Sequence, residues 1–189
     1  ASAIYDGADA KVIAHAISEE FNPDIIICDY DVRDGDLVRL ITDIRHGKVG
    51  SDPFVAIIAV SWKATESMVT GMLGAGVDFI VAAPVSPRQL LRRIRSLVHN
   101  RKKFLVAADY VGPDRRDASS PAIRRHVPLI DPPNSLRDKA VGAWNAASYR
   151  DHVTAALSTV NGQKMAQHAQ QPSVPAVQVA VKHTARGTR

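Results

Sequence analysis

The chain contains few of the features that mark secreted or membrane proteins. It has one cysteine, Cys28, among 189 residues, so no disulfide can form within the chain. This is compatible with a reducing compartment, and we expect a cytoplasmic protein. No apolar run approaches the roughly 18 residues that a membrane-spanning helix needs. The sequence therefore does not favour a membrane partner.

Motifs that carry enzyme chemistry are also missing from the sequence. The seven histidines are scattered without the spacing of metal ligands. There is neither a glycine-rich phosphate loop nor a nucleophile elbow of the type that presents a catalytic serine. We therefore expect a protein that is not an enzyme.

Charge is distributed unevenly along the chain. Residues 1–100 hold 10 Lys or Arg against 13 Asp or Glu, whereas residues 101–189 hold 14 against 6. An acidic first half and a basic second half indicate two regions with different roles.

The first hundred residues alternate between short apolar runs and segments with helical periodicity. This alternation predicts a parallel sheet flanked by helices. The predicted strands are residues 3–5, 24–29, 54–61 and 77–83, and the predicted helices are residues 8–21, 35–46, 64–75 and 87–100. Because Ile25, Ile26 and Ile27 are consecutive, we expect their strand to be buried on both faces.

The pattern changes after residue 100. Residues 101–134 contain "GPDRR", "SSP" and "DPPN" without sustained periodicity, which predicts a linker or extended arm. A thin apolar stripe predicts a C-terminal helix over residues 135–160. The Gln-, Ala- and Pro-rich residues 161–189 are typical of a disordered tail.

A cluster of carboxylates follows the second predicted strand, in "NPDIIICDYDVRDGD". Asp29 ends the strand, and open α/β sheets bind their ligands at the carboxyl ends of their strands. A carboxylate there could hold a cation, accept a phosphoryl group or cap a turn. The neighbouring Asp31, Asp34 and Asp36 are also typical of a solvated turn.

The ordered set of strand–Asp29, strand–Ser61 and "AGVDFIVAAPVSPRQLLRRI" resembles the receiver domain of bacterial two-component response regulators. The resemblance implies a flavodoxin-like (CheY-like) fold over residues 1–100, without its first strand and helix. It implies that Asp29 accepts a phosphoryl group and that the Ser61 hydroxyl responds to it. The later "DYVGPDRR" is similar to an extension found on some alphaproteobacterial receivers.

The sequence also departs from the receiver pattern. The family's lysine before the fifth-strand proline falls on Ala83, and its switch aromatic falls on Ile80. The acidic pair of the family's first strand has no counterpart. Asp29 and Asp31 could therefore hold Mg²⁺ only weakly, in an incomplete site.

The resemblance implies a module in phosphorelay signal transduction. Its implied partners are a histidine kinase or phosphotransfer protein, a downstream protein and a second copy of the chain. An alternative is a pseudo-receiver that binds partners or dimerises without phosphorylation. A flavodoxin-like cofactor binder has no supporting motif.

The basic stretch "LLRRIRSLVHNRKK" is either a solvated helix face or a surface for an acidic partner or nucleic acid. Since no helix-turn-helix follows it, nucleic acid is the less favoured partner. The pairs Arg115-Arg116 and Arg124-Arg125 either pin the arm to the receiver-like domain or contact a partner.

Overall fold

The computed structural model describes residues 10–17, 23–30, 37–107, 109–116 and 129–170. They form six helices and six strands. The helices are α1 (Ala10–His15), α2 (Leu37–Arg45), α3 (Glu66–Ala75), α4 (Pro87–His99), α5 (Ser135–Ala140) and α6 (Ala146–Gln170). The strands are β1 (Ile25–Asp29), β2 (Ala56–Ser61), β3 (Phe79–Ala82), β4 (Phe104–Val106), β5 (Val111–Pro113) and β6 (Leu129–Ile130).

The first three strands form one parallel sheet in the order β1-β2-β3. One face packs against α2 and α3 through a cluster that includes Ile41, Ile57 and Met72, with α1 at its margin. The other face packs against α4 through Ile58, Leu97 and their neighbours. The predicted fold class, a flavodoxin-like parallel sheet flanked by helices, is confirmed.

Local sequence signals explain where two of these helices begin and end. Ser86 caps α4 with a reciprocal capping box to Gln89, and Pro87 occupies the first turn, where its missing N–H costs nothing. Thr65 caps α3 by accepting a hydrogen bond from the Met68 amide. The same helix ends at Gly76, whose φ of 93° favours glycine.

The expectation that β1 is buried on both faces is wrong. Ile27 is 46% exposed. Within the described residues β1 has a strand neighbour on one side only, and α4 packs over the centre of the sheet instead. The fully covered strand is β2, where Ile57 and Ile58 are both 0% exposed.

A second sheet follows α4, in a region for which the sequence predicts a linker or arm. Its order is β5-β4-β6, and both pairings are antiparallel. These strands contain two or three residues each, too few for periodicity to reveal them. They share a core cluster with α6 that includes Phe104, Val111 and Val153.

The single helix predicted over residues 135–160 is two helices, and the second extends to Gln170. Gly142, with φ of 71°, lies in the break between them. The Gly142 amide donates to the Lys139 carbonyl, and the Ala143 amide donates to the Asp138 carbonyl, which closes the end of α5. The strand predicted at residues 3–5 lies outside the described residues. Of the predicted tail, residues 161–189, the part up to Gln170 belongs to α6, and the rest lies outside the described residues. None of the described helices is long and apolar enough to span a membrane.

Candidate functional site

The carboxyl edge of the parallel sheet brings together the positions that the sequence analysis selected. Asp29 is the last residue of β1 and lies opposite Val60 in the register, one residue before Ser61 ends β2. The Tyr30 amide donates to the Val60 carbonyl at 2.8 Å, and the Ala83 amide donates to the Ser61 carbonyl at 2.8 Å. Asp29, Ser61 and Ala83 therefore lie at the same edge of the sheet.

The two candidate side chains differ in their access to solvent. Asp29 is exposed, whereas Ser61 is 1% exposed. The Ser61 hydroxyl oxygen accepts a hydrogen bond from the Lys63 amide at 3.1 Å, so it also holds the start of the following loop. The Asp29 carboxylate is therefore accessible to a soluble reactant, whereas the Ser61 hydroxyl is not.

The departures from the receiver pattern leave this edge without the family's fixed cation. Ala83 directly follows β3, and Ile80 lies within β3, so neither supplies a charge. Among the described residues, the exposed Lys63 follows Ser61 by two positions. Trp62 between them is 64% exposed.

The predicted magnesium site is tested only in part. Asp31, Asp34 and Asp36 lie outside the described residues. Among those described, no group of three or more His, Cys, Asp or Glu side chains could hold a metal ion. Asp29 alone therefore does not make a metal centre, although its exposed carboxylate is a suitable oxygen ligand.

The thiol of Cys28 lies immediately behind this edge, in an environment that disfavours the thiolate. It is buried, and it donates a weak hydrogen bond to the Ile58 carbonyl at 3.6 Å. Burial, together with the charge of Asp29, raises the pKa of Cys28 to about 12. Because the thiolate is the nucleophile, the neutral thiol cannot contribute to chemistry at this edge.

We expect iodoacetamide to leave the native protein unmodified at pH 8, because only about one thiol in ten thousand is ionised when the pKa is near 12. The same protein in 8 M urea should be modified fully, since its unfolded thiol titrates normally. Intact mass measured over time checks this. Rapid modification of the native protein would show that Cys28 is not held in the environment described.

The opposite edge of the sheet holds a buried charged cluster that the sequence analysis missed. Arg45, the last residue of α2, is 1% exposed. Its guanidinium donates to the Gly76 carbonyl at 2.9 Å and to the Pro53 and Val55 carbonyls, both at 2.7 Å. It also donates to Asp78 Oδ2 at 2.9 Å. Burial lowers the pKa of Arg45 to about 10, which leaves it charged at neutral pH.

Arg101 approaches the same carboxylate from the chain segment after α4. Its Nε donates to Asp78 Oδ1 at 3.0 Å, and its Nη2 donates to Asp78 Oδ2 at 3.2 Å. Asp78 also accepts from the Ile57 amide at 2.9 Å. The Phe104 ring lies 5.1 Å from the Arg45 guanidinium carbon and 5.0 Å from that of Arg101. Both cations therefore contact an aromatic ring as well as a carboxylate.

A second buried carboxylate connects this edge to α6. The Tyr149 hydroxyl donates to Asp52 Oδ2 at 2.7 Å, and the Phe54 amide donates to Asp52 Oδ1 at 2.8 Å. Burial raises the pKa of Asp52, and burial beside this carboxylate raises the pKa of Tyr149. The tyrosine is thus a donor throughout the physiological pH range.

The "DYVGPDRR" motif lies against this edge. Gly112 packs so closely that a Cβ there would lie 2.7 Å from Gly76 Cα. The Tyr110 hydroxyl donates to the Pro113 carbonyl at 2.9 Å, which closes the turn. Arg115 donates to the carbonyls of Val77 and Asp78.

The second arginine of the motif has a different role, because Arg116 forms an ion pair with Asp114 at 2.8 Å. Of the two roles considered for Arg115-Arg116, pinning the arm to the domain is the one that the contacts show for Arg115. Arg124 and Arg125 lie outside the described residues.

Arg45 could have been found from the sequence. It follows Ile41 by four residues and so continues the apolar stripe of α2, although a basic residue at a helix end is usually interpreted as a solvated partner of the helix dipole. Asp78 gives no such signal, because its partners Arg45 and Arg101 are 33 and 23 residues away along the chain.

The chain is similar to several solved structures. No protein-family model matches the chain, and no curated protein matches it. A CheY-like response regulator receiver domain protein from Methanospirillum hungatei JF-1 is 25% identical, with a TM-score of 0.41. That match covers 47% of this chain and 66% of the other, so the chain spans slightly less than two thirds of its length.

The second structure is RcsB from Salmonella enterica serovar Typhimurium, bound to the promoter rprA in the presence of phosphomimetic BeF3⁻. It is 15% identical to this chain, with a TM-score of 0.38, and the match covers 85% of this chain and 78% of the other.

Proposed function

We propose that the chain is a receiver-like signalling module in phosphorelay signal transduction, that it accepts a phosphoryl group on Asp29 and that it acts through protein–protein contacts. One observation carries this proposal. Asp29 is an exposed carboxylate at the carboxyl end of a parallel strand, next to a strand that ends at Ser61. The carboxyl ends of parallel strands are where open α/β sheets place their reactive groups.

The transfer needs an exposed carboxylate, a phosphoryl donor and cations that offset the charge on the transferring group. A carboxylate oxygen of Asp29 attacks the phosphorus, the bond from phosphorus to the donor oxygen or nitrogen breaks, and the donor leaves with the bonding electron pair. The product is an acyl phosphate. In this proposal the Ser61 hydroxyl, now an acceptor for the Lys63 amide, donates its proton in a hydrogen bond to a phosphoryl oxygen.

Ala83 limits how strongly phosphorylation can alter this module. A hydrogen bond to a charged group contributes about 1.5–3 kcal/mol. Without the lysine that receivers carry at this position, that contribution is lost, and the phosphorylated state is coupled less tightly to any conformational change. The described residues also do not complete a magnesium site, so we propose that any Mg²⁺ at Asp29 and Asp31 is held weakly.

Incubation with acetyl phosphate and magnesium tests the acceptor role. We expect the intact mass to increase by one phosphoryl group and Asp29→Asn to abolish the increase, because the amide is not nucleophilic. Glu66→Gln is the matched control, since this exposed carboxylate also follows the carboxyl edge, in the first turn of α3. Absence of an adduct, or an adduct that Asp29→Asn retains, would refute the acceptor role.

The alternative is a pseudo-receiver that binds partners or dimerises without phosphorylation, and Ala83 and Ile80 favour it over a complete switch. It predicts that Asp29→Ala leaves partner binding unchanged. In either form we propose a cytoplasmic module that is not an enzyme. Its proposed partners are a histidine kinase or phosphotransfer protein for the first form, and a downstream protein or second copy for both.

A further inference from the structure

The outer face of α4 has an excess of positive charge that the described contacts do not neutralise. Residues 79–108 contain no Asp or Glu and seven Lys or Arg. Two of the arginines have partners within the protein. Arg93 of α4 lies over the Phe79 ring at 5.0 Å, and Arg101, which follows α4, forms an ion pair with Asp78. The three other arginines of α4 are Arg88, Arg92 and Arg95, and we call them the arginine stripe.

The arginine stripe is exposed along its length. Among the described residues, none of its three guanidiniums takes part in an ion pair. The exposed face of α2 is different, because Arg39 there pairs with Asp43 one turn later and Lys48 pairs with the same carboxylate. A surface helix normally intersperses charges in this way, so the uncompensated stripe is not simply the usual solvated face.

The spacing of the stripe gives it a defined shape. Positions i, i+4 and i+7 lie within a narrow arc of a helix, and they span about 10 Å along its axis. This arc is opposite the side of α4 that packs on the sheet through Leu90, Ile94 and Leu97. The stripe therefore points directly away from the protein.

An apolar side chain within the same surface indicates the class of partner. Leu91 is 47% exposed, and it lies one turn from both Arg88 and Arg95. A charged phosphate backbone offers a leucine little apolar surface, whereas an amphipathic helix of another protein offers both carboxylates and apolar side chains. Charge and apolar surface together favour a protein partner over nucleic acid.

We infer that the outer face of α4 is a docking surface for an acidic amphipathic helix of a partner protein. Carboxylates spaced i, i+4 and i+7 on that helix pair with the arginine stripe, and an apolar side chain between them packs on Leu91. Opposite charges at this spacing set the register and orientation of the two helices. The inference extends the proposed function by naming the surface and the chemistry of the partner.

A designed helical peptide tests the inference. The probe carries Glu at i, i+4 and i+7 with one Leu among them, and a control peptide carries Gln at the three positions. Fluorescence anisotropy at about 50 mM salt should show binding of the Glu peptide at least about tenfold tighter than that of the Gln peptide, and the difference should shrink at about 300 mM salt.

Protein variants separate the contributions of charge and apolar contact. The triple charge reversal Arg88→Glu, Arg92→Glu and Arg95→Glu should weaken binding at least about tenfold, and Leu91→Ser should weaken it about fivefold. Arg150→Glu, which reverses an exposed charge on α6, should change the affinity less than about twofold. Thermal unfolding of each variant checks that its fold is retained.

Two results would overturn the inference. One is equal binding of the Glu and Gln peptides, or none by either. The other is tighter binding of double-stranded DNA than of the Glu peptide, with no effect of Leu91→Ser, which would identify a phosphate-binding face. The peptide-binding experiment contains no phosphoryl donor, so its failure would not contradict the acceptor role of Asp29. Failure of the acetyl phosphate experiment would likewise not contradict the docking surface on α4.

Discussion

Replacing Arg45 by Met is expected to destabilise the protein by about 3–5 kcal/mol, the range measured when one partner of a buried ion pair is removed. The variant would leave the Asp78 carboxylate with fewer donors in a buried site. It would also leave the carbonyls of Gly76, Pro53 and Val55 without the donor that they share. Urea unfolding, monitored by circular dichroism, measures the change in free energy.

Arg39→Met provides the matched control for this prediction. Its side chain is on the same helix but 79% exposed, and its ion pair with Asp43 is long, at 3.8 Å. Such surface pairs contribute between 0 and about 1 kcal/mol, so this variant should unfold close to the wild type. The double variant Arg45→Met, Asp78→Asn should lose less free energy of unfolding than the sum of the two single variants, because either change alone already removes the interaction between the two side chains. Equal effects of Arg45→Met and Arg39→Met would show that the cluster does not stabilise the fold.

Ending the chain at Asn100 is expected to abolish cooperative unfolding, although all of α1 to α4 would remain. Phe104 is 0% exposed and packs against Phe54, with ring centroids 5.8 Å apart. Removing one buried phenylalanine side chain costs about 3–5 kcal/mol, which approaches the whole stability of many domains. The truncation removes Arg101, Val106, Val111 and Tyr149 as well.

A chain ending at Gln170 is the control for this truncation. It keeps every contact among the residues that the structure describes, so its urea midpoint should match that of the full chain. Circular dichroism and one-dimensional proton NMR distinguish a folded product from a collapsed one. A stable, cooperatively unfolding product from the chain ending at Asn100 would show that the second sheet and α6 are an accessory rather than a part of the domain.

The sequence allowed β1, β2 and β3 and the helices α2, α3 and α4 to be predicted to within about two residues at each end. Strand β2 and helix α4 were the clearest, because their apolar residues follow a sustained pattern and Ser86-Pro87 marks a helix start. The same reasoning selects Asp29, which ends a predicted parallel strand, whereas Ser61 comes from the resemblance to receiver domains. The predictions of the strands and helices depend on local patterns, which a single sequence contains.

Apart from Arg45, which continues the apolar stripe of α2, the opposite edge could not be predicted, because its interactions join distant residues through charge and shape. Strands β4 to β6 are too short to show alternation, and Asp78 is recognised only through partners that the fold brings to it. Gly112 looks like an ordinary turn residue, although its contact with Gly76 is what lets the backbones approach. The exposure of Ile27 was missed for a similar reason, as it depends on which neighbours surround the strand.

The carbonyls gathered by Arg45 have a consequence for how this domain tolerates changes in length. A guanidinium has fixed dimensions, so the Pro53, Val55 and Gly76 oxygens must keep their positions around it. Adding even one residue between α2 and β2, or between α3 and β3, would move one of these oxygens out of reach of the guanidinium. The exposed residues 62–65 at the other edge are held by local hydrogen bonds, at the Ser61 hydroxyl and at the Thr65 cap, rather than by a buried guanidinium. Natural insertions and engineered tags should therefore be accepted there and rejected between α2 and β2.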